Sequence, residues 1–315
     1  MPTWLALLLG LLLLAAGGEF LVRGTVGLAR KLGISPLLAG LTIVGFGTSA
    51  PELVTSLRAA LTGSPDIAVG NVIGSNIANI LLILGASALV IAIPITRPAF
   101  RRDGLVLALS ALAAVGAVLA GGVSRAIGVG LFAALVAYIV YAYFSEKNAA
   151  SDSVTEQVDA AVAAPQNAFL LGGITLAGIG GVIFGARFLV EGAVELATQM
   201  GVSQAVIGLS VVAIGTSLPE LVACLAAALK KEPDVALGNV VGSCIYNIFG
   251  ILGLTAVVQP LGVPPEIAAL DIWVLAVTTA LLLVFLRTGL TIQRWEGGVL
   301  LLSYAAYLAY LVTPA

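Results

Sequence analysis

The sequence contains no histidine among its 315 residues, and only 10% of them are charged. The first absence excludes imidazole catalysis and histidine-ligated zinc. The second lies far below the roughly 25% of a soluble domain, and 60% of the chain is hydrophobic, so this reads as an integral membrane protein. Apolar runs of about 20 residues recur almost end to end and leave no room for a separate soluble domain. The net charge of −2 says nothing about partners, and no basic cluster supports nucleic-acid binding. Cysteine is scarce as well. Cys224 and Cys244 lie in apolar segments without CxxC spacing, which fits small core residues and neither a redox pair nor a metal site. No enzyme activity and no cofactor are expected.

What the chain does contain is a duplication. Laying Gly17 to Gly85 over Gly185 to Gly253 superimposes the two halves without a gap. Phe20-Leu21-Val22 falls on Phe188-Leu189-Val190, Gly70-Asn71-Val72 on Gly238-Asn239-Val240, and Gly74-Ser75 on Gly242-Ser243. The start, Met1 to Gly18, has the apolar core of a signal peptide but no Lys or Arg before it. Its apolar run continues through Phe20-Leu21-Val22, so it is expected to be the first transmembrane helix.

Polar residues and Pro/Gly punctuation divide the chain into ten expected helices: 3–29, 36–61, 66–92, 102–121, 125–144, 168–198, 204–229, 234–258, 267–286 and 292–312. The expected fold is all-α and membrane-embedded, with one five-helix repeat in 1–144 and another in 167–315. An odd number of crossings makes the second repeat enter from the opposite side, the inverted-repeat plan of many secondary transporters. Charge supports this layout. Loops on one side carry Arg30, Lys31, Arg97, Arg101, Arg102, Lys147, Lys230, Lys231, Arg287 and Arg294, whereas those on the other carry Arg125 alone. By the positive-inside rule the first group is cytoplasmic, and both termini face outward from the cytoplasmic membrane. Between the repeats, 145–166 reads as an acidic, solvated cytoplasmic linker without the pattern of an EF-hand.

The chemistry concentrates in Gly47-Thr48-Ser49-Ala50-Pro51-Glu52 and its copy Gly215-Thr216-Ser217-Leu218-Pro219-Glu220. A carboxylate at membrane depth costs about 2.5–3.5 kcal/mol on insertion scales, and here it occurs twice. Each proline lacks an N–H and crowds the carbonyl four residues back, Gly47 or Gly215, opening the helix beside its glutamate. Thr48, Ser49 and Glu52 stand at i, i+4 and i, i+3 spacings and share a face, as do Thr216, Ser217 and Glu220. The following helices supply Ser75 with Asn79, and Ser243 with Asn247. This donor set is all oxygen. Its two carboxylates offset one Ca²⁺ or two Na⁺, which is the charge balance of an exchanger.

Other features read as structural. Gly70, Gly74, Gly238 and Gly242 have the Gly-x-x-x-Gly spacing that packs the two central helices together. Asp66 and Asp234 follow prolines and are expected to cap their helices. Glu19 with Arg23, and Arg187 with Glu191, are i, i+4 pairs in reversed order, expected to snorkel near the interface.

The paired Gly-Thr-Ser-x-Pro-Glu and Gly-Asn-x-x-Gly-Ser-x-x-x-Asn motifs resemble the alpha repeats of the sodium/calcium exchanger family, within the cation/calcium antiporter superfamily. The resemblance covers nearly the whole chain. It implies Na⁺/Ca²⁺ antiport by alternating access, with helices 1 and 6 sliding as a pair against the other eight. It also implies a central cluster of cation ligands at Thr48, Ser49, Glu52, Ser75, Asn79, Thr216, Ser217, Glu220, Ser243 and Asn247, with backbone carbonyls at Gly45 and Ala213. Glu52, Glu220, Thr48 and Thr216 are expected as the innermost metal ligands. Many relatives, including those that co-transport K⁺, carry aspartate where this chain has Asn247, so K⁺ dependence is disfavoured. The remaining alternatives are H⁺- or K⁺-coupled cation/Ca²⁺ antiport and, from another class, a cation channel. The expected partners are Ca²⁺, Na⁺ and the lipid bilayer, and a monomer is the working expectation.

Overall fold

A computed structural model describes residues 2–152, 167–200 and 215–312, and these are almost entirely helical. The first half contains α1 (Thr3–Leu32), α2 (Pro36–Thr48), α3 (Ala50–Leu61), α4 (Pro65–Val90), α5 (Arg97–Leu119) and α6 (Arg125–Asp152). The second contains α7 (Ala168–Gln199), α8 (Leu218–Leu229), α9 (Pro233–Val258), α10 (Ile267–Gly289) and α11 (Arg294–Val312). Among the described residues, seven helices are long and apolar enough to cross a membrane. The bent pair α2 and α3, which meet at 43°, makes an eighth. The chain is therefore a multi-pass membrane protein. Residues 204–214, expected to begin the seventh crossing, lie outside the described residues, as does most of the 145–166 linker.

Two pairs of short strands join the halves. β1 (Ile93–Pro94) follows α4 and pairs antiparallel with β4 (Thr291–Ile292), just before α11. β2 (Gly122–Val123), before α6, pairs with β3 (Leu261–Gly262), between α9 and α10. The repeat register carries Ile93-Pro94 onto Leu261-Gly262, yet these two strands do not pair with each other.

Small residues set the closest approaches. α1 and α7 pack antiparallel along Gly10, Gly17 and Gly24 on one side and Gly178, Gly181 and Gly185 on the other. A Cβ on Gly17 would lie 2.6 Å from Val182 N, and one on Gly178 would lie 2.3 Å from Leu21 N. Any larger side chain would separate the pair. Gly238 and Gly242 do not join the two central helices to each other as their spacing predicts. They press on α2, where added Cβ atoms would fall 2.2 Å from Leu37 O and 2.1 Å from Leu41 O. Gly70 and Gly74 make no such approach among the described residues: a Cβ on Gly70 would meet only Ile267, at 3.7 Å, and one on Gly74 would have nothing within 4 Å.

The prolines do what their chemistry dictates. α3 and α8 each start with proline in their first turn, after Ser49 (φ −81°, ψ 7°) and Ser217 (φ −90°, ψ 4°). Asp66 and Asp234 lie inside the first turn, one residue past the proline; the cap positions are Ser64 and Glu232, and neither makes a side-chain cap bond. Both aspartates therefore act on the helix dipole without closing the cap. Wider π-helical turns occupy Asn79–Leu84 and Tyr246–Leu252 at matching places in the repeats.

Candidate functional site

The break between α2 and α3 sets Thr48 and Ser49 beside α8 and α9 of the other half. Ser49 Oγ donates to Glu220 Oε1 at 2.8 Å and lies 3.1 Å from Ser243 Oγ. Ser243 Oγ in turn donates to Gly45 O at 3.3 Å and Asn239 Oδ1 at 3.4 Å. Thr48 Oγ1 bonds back to Val44 O at 3.0 Å and sits 3.2 Å from Asn239 Oδ1. Thr48, Ser49, Gly45, Glu220 and Ser243 thus form one continuous polar cluster drawn from both repeats.

Glu52 and Glu220 are both 1% exposed. No ion pair among the described residues reaches either one. Glu52 Oε2, Glu220 Oε2, Asn247 Oδ1 and both side-chain polar atoms of Asn79 are buried without a hydrogen-bond partner among the described residues. Buried orphan atoms of this kind are rare and call for a ligand or water. All but the Asn79 amide nitrogen are oxygens, the hard donors that Na⁺ and Ca²⁺ accept.

Two cavities are lined by residues that neighbour these in sequence, though not by the cluster itself. One of about 570 Å³ runs beside Pro51, Val54, Arg187, Glu191, Thr216 and Pro219. The other, of about 430 Å³, is lined by Asn71, Ser75, Thr216, Ser217, Tyr304 and Tyr307 among others. Thr55 and Thr216 border both. Of the residues singled out in the sequence, Ser75, Thr216 and Ser217 line a cavity, and Asn79 and Asn247 are fully buried at the start of the two π-helical turns. Ala213 lies outside the described residues.

Three asparagines have structural roles that spacing alone did not reveal. Asn71 Nδ2 donates to Glu52 O at 3.2 Å and Ser56 Oγ at 2.9 Å. Its repeat partner Asn239 donates to Glu220 O at 3.4 Å and Cys224 Sγ at 3.1 Å. Each glutamate's backbone is held by an asparagine of the next helix, and the aligned Gly-Asn-Val segments were the available signal. Asn76 Oδ1 accepts from Asn247 Nδ2 at 3.5 Å, which leaves Asn247 Oδ1 free. Phe46 stacks on Tyr246 with ring centroids 4.4 Å apart, tying the end of α2 to the π-helical turn that carries Asn247.

The two reversed ion pairs differ in their surroundings. Arg187 Nε donates to Glu191 Oε1 at 2.7 Å, and both side chains are more than half exposed. Glu19 pairs with Arg23 and also with Lys230, which ties α1 to the end of α8. Cys224 and Cys244 are buried and free, as small core residues would be.

The sequence pattern of the family described as "Sodium/calcium exchanger protein" matches residues 2–144 and 170–313. The sodium/calcium exchanger MaX1 of Methanosarcina acetivorans is 34% identical over 344 residues, covering 98% of both chains. The inner membrane protein YrbG of Escherichia coli is 37% identical over 264 residues, covering 82% of this chain and 81% of its own. A solved structure of the sodium-calcium exchanger NCX_Mj, soaked with Na⁺ and Sr²⁺, superimposes with a TM-score of 0.84 at 31% identity, covering 98% of this chain and 97% of that one.

Proposed function

Because this chain belongs to the sodium/calcium exchanger protein family, we propose that it exchanges Na⁺ for Ca²⁺ across the cytoplasmic membrane by alternating access. The observation that carries this reading is the pair of buried glutamates, one from each repeat, with no ion-pair partner among the described residues; Ser49 of the first repeat bonds Glu220 of the second. Two carboxylates neutralise one Ca²⁺ or two Na⁺, and any further Na⁺ must rest on neutral oxygens. Holding either load, but not both together, is the condition for exchange.

The proposed ligands are Thr48, Ser49, Glu52, Ser75 and Asn79, with Thr216, Ser217, Glu220, Ser243 and Asn247, and the carbonyls of Gly45 and Ala213. The polar cluster around Ser49, the orphan oxygens of Glu52, Glu220, Asn79 and Asn247, and the cavity-lining Ser75, Thr216 and Ser217 support this set. Calcium needs about six to eight oxygens, which the set supplies.

The proposed architecture is ten crossings in two inverted repeats, with both termini outside. Strand pairing supports it. If both halves entered from one side, the equivalent strands β1 and β3 would share a face. Instead β1 pairs with β4 and β2 with β3, as opposite entry requires. For the sliding step, α1 and α7 are knitted backbone to backbone and move as one body. α7 lies against both broken helices: a Cβ on Gly47 would meet Ile179 at 2.5 Å, and one on Gly215 would meet Val190 at 2.6 Å. A shift of α7 therefore acts on both halves of the site at once.

Proteoliposomes loaded with Na⁺ and diluted into Na⁺-free buffer test the proposal. Uptake of ⁴⁵Ca²⁺ should appear and collapse when the Na⁺ gradient is dissipated. Equal uptake driven by a pH gradient alone would transfer the assignment to proton coupling.

A further inference from the structure

Away from the glutamates, four arginines converge on one concave face at the ends of three helices. Two adjoining cavities, of about 520 and 600 Å³, open there and share Arg97 and Arg101. Arg102, Tyr141 and Ser145 complete the first; Arg287, Thr288 and Phe100 help complete the second. The walls come from the start of α5, the end of α6 and the end of α10, and among the described residues no carboxylate lines either cavity.

The four arginines are not equivalent. Arg102 is buried and already neutralised: it donates to Asp103 at 2.6 and 3.0 Å and to Glu146 at 3.0 Å. Arg97, Arg101 and Arg287 are exposed and have no ion-pair partner among the described residues. Among the described residues, three guanidiniums without an ion-pair partner therefore face one pair of cavities.

A general inside-positive bias does not account for this. It acts on loops and is indifferent to whether lysine or arginine carries the charge, yet all four residues here are arginine and they share a concavity. The duplication provides a control within the same chain. Continued past Gly85, the register of the repeat places Pro265, Ala269 and Leu270 where Arg97, Arg101 and Arg102 stand, and Leu119 where Arg287 stands. The same fold is built on the other side without these charges, so packing does not require them.

Planar guanidiniums bind phosphate oxygens through paired hydrogen bonds, and clusters of them between helix ends suit lipid head groups. We propose that the two cavities bind the head group of an anionic phospholipid bearing two phosphates. One phosphate sits in each cavity, and Arg97 and Arg101 lie between them. The position supports a membrane source over a soluble one: the cavities open where three spanning helices end, and Tyr141 and Phe100 offer aromatic surface at that depth.

The test uses full-length protein, purified in mild detergent and stripped of lipid. Native mass spectrometry would titrate it with diphosphatidylglycerol, phosphatidylglycerol and phosphatidylcholine, and with inorganic pyrophosphate as a competitor. The two-phosphate lipid should bind ahead of phosphatidylglycerol, with phosphatidylcholine last. Near an anionic surface each arginine contributes about fivefold, so R101Q/R287Q should weaken diphosphatidylglycerol roughly 25-fold. R125Q, on the opposite face, should leave it unchanged. If the double variant does not fold, single R101Q carries the test at about fivefold. Equal binding of diphosphatidylglycerol and phosphatidylcholine, or wild-type affinity in the arginine variant that folds, would overturn the proposal. Displacement by pyrophosphate at the lipid's own concentration would also overturn it, by making this a soluble-phosphate site.

Discussion

Replacing Glu52 with glutamine separates the binding role of this side chain from any structural one. The substitution keeps the shape and removes one of the two buried charges. Among the described residues no ion pair holds that charge: Glu52 Oε2 has no partner, and Asn71 holds the backbone carbonyl, which glutamine also presents. Removing it also ends the cost of keeping a charge buried. Without ions, the melting temperature of Glu52→Gln should be no lower than that of the parent. Binding should change far more. A unit charge pair about 4 Å apart is worth about 4 kcal/mol at an effective dielectric near 20. At 1.4 kcal/mol per tenfold, that is about a thousandfold in affinity, and a divalent ion loses more than a monovalent one. Ca²⁺ at 100 times the parent's Kd stabilises the parent by about 2.7 kcal/mol; the same concentration should leave the variant's melting curve unmoved. Calorimetric titration and Na⁺-driven ⁴⁵Ca²⁺ uptake would read the same loss directly. Exchange within tenfold of the parent, or collapse of the ion-free fold, would refute the assignment of Glu52 as a charge-bearing ligand.

Four further outcomes are expected. Ser49→Ala removes a hydrogen bond to a carboxylate, worth about 1.5–3 kcal/mol, and should raise the Ca²⁺ concentration for half-maximal exchange by roughly 10- to 150-fold; combined with Glu220→Gln, the two effects should be strongly non-additive. Asn247→Asp restores an acid beside Asn76 and should introduce K⁺ or pH dependence into ⁴⁵Ca²⁺ uptake, whereas an unchanged ion profile would remove this position from ion choice. Gly242→Ala forces a Cβ to within 2.1 Å of Leu41 O, so thermal melts should show a loss of at least about 2 kcal/mol, beyond the middle of the range for overpacking. Lys231 has φ 61° where the first repeat has Gly63 at φ 82°; Lys231→Gly should therefore stabilise the protein by up to about 1 kcal/mol, the strain of a left-handed non-glycine residue.

Much of the candidate site was legible because it is written locally and twice. Pro51 and Pro219 interrupt helices wherever they are placed; helical spacing put Thr48 and Ser49 on a face with Glu52, but across the 43° break Ser49 bonds Glu220 of the other repeat instead. The fully buried state of Glu52 and Glu220 agrees with their cost at membrane depth. The roles of Asn71 and Asn239 were hidden because a hydrogen bond to a backbone carbonyl in the preceding helix leaves no local pattern. Their alignment between repeats marked them as paired without saying what they hold. The Gly-x-x-x-Gly reading erred for a related reason: spacing announces a close approach but not the surface approached, and Gly238 and Gly242 chose α2. Asp66 and Asp234 showed a smaller error of two positions, since the proline begins the helix and leaves the cap to the residue before it.

The membrane solvent, the duplication, the helix breaks and an oxygen-only donor set around two acids could all be read from the order of residues. Each follows from hydrophobic length, proline geometry or i, i+4 spacing, which act within a few turns of chain. That Ser49 of one repeat bonds Glu220 of the other, and that α7 touches both broken helices, had to wait for the packed molecule. So did the gathering of Arg97, Arg101 and Arg287 onto one face. Those are relations between segments that belong to opposite halves of the chain. They exist only once close packing of glycine-lined helices has fixed which surfaces meet.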